Sequence, residues 1–80
     1  MKLIINHSSM QPVYEQISGQ IKERIMHGEL TEGAVLPSVR TLARELRVSA
    51  LTVKKSYDVL EQEGFITTVH GKGSFVSSAN

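Results

Sequence analysis

The chain has 80 residues, no cysteine and a formal net charge of +1. That length supports one small core and leaves no room for a second domain, and the missing thiols exclude both a disulfide framework and a thiolate metal site. No apolar run approaches the roughly 20 residues of a membrane span and the start lacks the pattern of an export signal, so a soluble, cytoplasmic chain is expected.

Residues 1–10 open with the apolar triplet Leu3, Ile4 and Ile5 and turn polar at Asn6, which suits an N-terminal arm or a short strand. The domain proper is expected over 11–77. Pro12 fits the first turn of a helix, and Val13, Ile17, Ile21 and Ile25 then repeat every four residues until Gly28 stops the pattern. This predicts an amphipathic scaffold helix of about four turns, with Glu15, Gln16, Gln20, Lys22, Glu23, Arg24 and His27 toward water. His7 and His27 have no partners at metal-ligand spacing, so neither metal nor cofactor is expected. Residues 29–35 read as a loop, with Val35 and Leu36 extended enough to pair with a later hairpin.

Residues 36–55, LPSVRTLARELRVSALTVKK, hold most of the clustered positive charge. Arg40, Arg44, Arg47, Lys54 and Lys55 face Glu45 alone, a local +4, whereas residues 1–39 balance to −1. A nucleic-acid partner is therefore argued from where the charge lies and not from its total. Pro37 closes the loop and Ser38 suits the N-cap of a second helix, in which Val39, Leu42, Ala43 and Leu46 share one face and the three arginines another. Val48 closes a tight joint. Ser49 suits the N-cap of a third helix whose inward side is Val53, Tyr57 and Leu60 and whose outward side begins Ala50, Leu51, Thr52, Lys54 and Lys55.

The two helices and their joint read as a helix-turn-helix that carries DNA contacts. A helix N-terminus offers free amides and partial positive charge to phosphate, and Ser49 and Thr52 add hydroxyl donors beside it. On an arbitrary helix Arg40 and Arg44 are solvated surface charges; beside such a joint, phosphate contact is favoured. Lys54 and Lys55 point about 100° apart, and Lys54 is the stronger candidate.

Gly64 ends the third helix. Residues 65–77 then form a predicted β-hairpin, with its turn at His70, Gly71, Lys72 and Gly73. The glycines serve the turn or a close approach to a sugar-phosphate backbone with His70 and Lys72 as donors, and both readings stay open. Residues 78–80 read as a tail or the start of a linker. Tyr57, Phe65 and Phe75 fall on inward faces, which favours core over base stacking. No nucleophile and base pair is recognisable, so an enzyme is not expected. The fold class is mainly α with a small β-hairpin, the order of a winged helix-turn-helix.

Residues 36–76, LPSVRTLARELRVSALTVKKSYDVLEQEGFITTVHGKGSFV, closely resemble the N-terminal DNA-binding domain of GntR-type bacterial transcription regulators, and residues 12–28 resemble it more loosely. PVYEQI at 12–17, with Val39 before Arg40, looks most like the YtrA subfamily, ahead of MocR. The resemblance implies a dimer on double-stranded DNA, each recognition helix in the major groove of one half-site and each wing at the minor groove. It implies contacts from Arg40, Arg44, Ser49, Thr52 and Lys54, with His70, Gly71 and Lys72 at the wing. The expected function is that of a repressor on a palindromic operator, with the effector site outside this chain.

Two departures matter. The family commonly has glycine where Arg47 stands, so Arg47 is expected to need a left-handed backbone. It often has a basic or polar residue at Ala50, so Ala50 and Leu51 put apolar surface at the front of the helix and turn part of the base reading toward thymine methyls. The alternative from another class is a winged helix used as a protein-protein interaction module, with Leu51 in its contact patch.

Overall fold

A computed structural model describes residues 1–77, so the tail expected at 78–80 lies outside the described residues. Three helices, α1 (Val13–Met26), α2 (Val39–Leu46) and α3 (Ala50–Gln62), precede an antiparallel hairpin of β1 (Ile66–Val69) and β2 (Gly73–Val76). This is the winged helix-turn-helix order.

Pro12 precedes α1 and does not enter its first turn: its ψ of 149° is extended, while its carbonyl accepts from the Glu15 and Gln16 amides. At the far end Gly28 takes φ +79°, which lets the Glu29 and Leu30 amides return to the Arg24 carbonyl. Of the predicted stripe, Ile17 and Ile21 are fully buried, whereas Val13 and Ile25 pack half-buried at its ends.

The core gathers Leu42 and Ala43 from α2, Val53, Tyr57 and Leu60 from α3, Ile66 and Val76 from the hairpin, and Leu3 and Leu36 from the connecting segments. α3 packs against α1, α2 and β1, so the helix with the most inward contacts is also the one whose outer face begins the candidate site. Phe65 packs partly buried on this core. Phe75 departs from its inward assignment: in the hairpin register Ile66 faces Val76 and both turn inward, which puts Phe75, opposite Thr67, on the half-buried other face.

The strand expected at Val35 and Leu36 is a single bridge from Val35 to Phe75. The Leu36 amide donates to the Ser74 carbonyl and the Val76 amide to the Ala34 carbonyl, both at 2.9 Å. These bonds tie the loop before α2 to the wing and so fix the hairpin relative to the helix-turn-helix.

The N-terminal arm forms no strand. It runs extended along α1, and side chains replace a partner strand. Gln20 accepts from the Ile4 amide at 2.9 Å and donates to its carbonyl at 2.7 Å. Gln16 does the same for Asn6 at 2.8 and 2.9 Å, and Arg24 donates to the Lys2 carbonyl. Four helical residues rise about 6 Å and two extended residues about 6.7 Å, so the two ladders nearly match. Gln16 is consequently buried, against the expectation that it faced water, and Leu3 is pressed into the core.

Candidate nucleic-acid interface

The two helices of the joint start in the same way. Ser38 caps α2 by accepting from the Thr41 amide at 3.1 Å, and Ser49 caps α3 by accepting from the Thr52 amide at 3.1 Å. In each case the two hydroxyls also bond to one another, at 2.9 Å for Ser38 with Thr41 and 2.8 Å for Ser49 with Thr52. A serine three residues ahead of a threonine thus satisfies one orphan amide and fixes both side chains.

Between them the chain reverses over three residues. Arg47 sits at φ +58° and ψ +46°, the left-handed conformation expected of it, and its amide bonds back to the Ala43 and Arg44 carbonyls. The Val48 amide returns to the Ala43 carbonyl at 3.0 Å. Behind the joint, the buried Tyr57 hydroxyl donates to the Pro37 carbonyl at 2.7 Å, fixing α3 against the entrance to α2. Burial, with the nearby negative charge of Glu45 adding to it, holds this phenol protonated well above its ordinary range.

Arg40, Arg44 and Arg47 are exposed, and among the described residues no ion pair or side-chain hydrogen bond engages them. The lysines differ. Lys54 makes a two-pronged ion pair one helical turn along, at 2.8 and 3.0 Å to the two Asp58 carboxylate oxygens. Lys55 places its ammonium 4.1 Å from the centre of the Tyr14 ring. On the outward front of α3, Ala50 is exposed and Leu51 is 81% exposed, while Thr52 is half-buried.

His70, Gly71 and Lys72 are exposed together at the hairpin tip, where the Lys72 amide donates to the Val69 carbonyl at 2.9 Å. Gly71 needs its φ of +82° and not empty space, since a β-carbon there would meet nothing within 4 Å. Among the described residues no hydrogen bond or ion pair joins this tip to the side chains of α2 or to the front of α3.

Two partners of the site were missed by sequence reasoning. Asp58 was legible from its four-residue spacing to Lys54. Tyr14 was not, because it stands 41 positions before Lys55 and beside the stripe of α1. Its backbone carbonyl accepts from the buried Ser56 hydroxyl at 2.7 Å, which docks the start of α1 onto α3. Among the described residues no three metal-ligating side chains cluster and no helix is long and apolar enough to cross a membrane.

Comparison with known proteins places these features. A profile described as bacterial regulatory proteins, gntR family, matches residues 13–76. The HTH-type transcriptional repressor YtrA of Bacillus subtilis (strain 168) is 44% identical over 73 residues, covering 91% of this chain and 56% of the relative. The chain thus spans about half the length of that curated relative. A solved structure, YtrA from Sulfolobus acidocaldarius, a GntR-family transcription factor, superposes with a TM-score of 0.91 at 45% identity, covering 98% of this chain and 82% of the other. A structure titled AraR(DBD) in complex with operator ORE1 superposes at 0.80 with 26% identity, covering 96% of this chain and 94% of that one. The interaction-module alternative draws no support from these similarities.

Proposed function

The chain belongs to the GntR family of bacterial regulatory proteins, and from that membership we propose that it is the sequence-specific double-stranded DNA-binding domain of a transcription repressor. Residues 11–77 form the binding domain and residues 1–10 an arm that braces it. The regulator works in the cytoplasm as a homodimer on a palindromic operator, by occupancy and without chemistry. The start of α3 enters the major groove with Ser49, Ala50, Leu51, Thr52, Lys54 and Lys55. Arg40 and Arg44 clamp the phosphates beside it, and His70, Gly71 and Lys72 of the wing reach the minor groove.

The observation that carries this reading is the trio of exposed arginines left without a side-chain partner along α2 and the joint that leads into the capped start of α3. A cation that gives up no internal contact can neutralise a phosphate at little cost, and each such contact releases a counterion. The test is duplex affinity against salt, using duplexes enriched from a random pool. With Arg40 and Arg44 on phosphate the log-log slope is expected to be at least about −2 per protomer, Arg47 and the lysines steepening it, and Arg40→Ala or Arg44→Ala should each reduce it by about one. Two-fold related half-sites in the enriched duplexes are expected for dimeric docking. Affinity insensitive to salt and to both substitutions would overturn the reading.

A further inference from the structure

Each polar side chain on the outward front of α3 already has a partner within the protein that it must share or give up to read a base. Ser49 and Thr52 bond to one another, with Ser49 also engaged by the Thr52 amide. Lys54 is held by both oxygens of Asp58, and Lys55 lies over Tyr14. Ala50 has no polar atom. The large apolar side chain exposed on the first turn is Leu51, 81% exposed, at the lip of a shallow groove it shares with Pro12, Val13 and Tyr14.

An isolated surface leucine needs no explanation. This one stands on the first turn of the helix that the reading above puts in the major groove, and the polar side chains around it already have partners. In the major groove the only apolar landmark among the four bases is the C5 methyl of thymine. Resting on the DNA-binding reading above, we infer that Leu51 is a specificity-determining residue that recognises a thymine methyl in each half-site, supplying by apolar contact a discrimination that hydrogen bonds do not. The small side chain of Ala50 leaves the approach open. The arginines then set affinity and Leu51 sets the base.

The experiment uses the 80-residue chain and the duplexes it enriches from a random pool. Each thymine is replaced singly by deoxyuridine, which removes the methyl and keeps every hydrogen-bonding atom. Binding is measured for the parent and for Leu51→Ala, a change at an exposed position that opens no cavity. The parent should lose about fourfold in affinity at one thymine of each half-site, the value of one buried methyl, and Leu51→Ala should bind thymine and uracil duplexes equally. Should uracil serve as well as thymine at every position, or the uracil penalty persist undiminished in Leu51→Ala, the inference fails while the DNA-binding reading stands. If no duplex is enriched even at low salt, the DNA-binding reading fails and takes the inference with it.

Discussion

Arg47 holds the joint in a conformation that costs a residue with a β-carbon about 1–2 kcal/mol, and its φ of +58° makes it the only non-glycine residue with positive φ among those described. The compensation is not structural, because its exposed side chain makes no ion pair or hydrogen bond among the described residues. Its exposed charge is what remains to justify the strain. Arg47→Gly is therefore expected to raise stability by up to about 1 kcal/mol, part of the relieved strain being offset by the glycine's greater unfolded-chain entropy. Urea unfolding measures the gain. The same variant should bind duplexes with a shallower salt slope, so that stability and affinity move in opposite directions; a loss of stability would mean that Arg47 packs in a way its exposure conceals.

At the scale of elements, the arm is held by α1 through side chains and not through a sheet. Gln20 satisfies both backbone groups of Ile4, and Gln16 both of Asn6. Gln20→Ala should cost about 1 kcal/mol and, more tellingly, should speed amide exchange at Ile4 while leaving amides of the buried face of α3 unchanged. Exchange that rises uniformly through the domain would show that the arm is part of the global cooperative unit. The helices themselves were legible because their signals are local: Ser38 and Ser49 at the caps, Gly28 and Gly64 at the stops, and an apolar residue every three or four positions. The hairpin was legible from its turn glycines. The glutamine ladder was not, since two polar residues on a helix look like a solvated face until an extended segment is laid against them.

For the molecule as a whole, Tyr57 links tertiary packing to pH. Its phenol is buried and donates to the Pro37 carbonyl across 20 positions of chain. In the unfolded chain it ionises near 10, whereas in the fold it keeps its proton well above that, chiefly through burial. Its contribution to stability is thus fully present below pH 10 and is lost as pH rises beyond it, at about 1.4 kcal/mol per pH unit. Urea midpoints above pH 10 should fall steeply for the parent and less steeply for Tyr57→Phe, which at neutral pH gives up only about 1 kcal/mol for the missing hydrogen bond. Parallel curves would place the alkaline loss elsewhere. The charge of the whole molecule follows a similar division, near balance overall with its excess at the helix joint, which suits steering toward a polyanion without general stickiness. The sequence by itself determined the caps, the amphipathic helices, the hairpin and the place of the basic cluster, because each depends on residues within about one helical turn or one hairpin of each other, whereas the left-handed joint was expected from the resemblance to a family that carries glycine there. Only the tertiary structure decided which polar side chains remain free. Lys55 finds Tyr14 across 41 positions of chain and Gln16 turns inward to the arm, and these depend on how the elements pack and not on any local pattern.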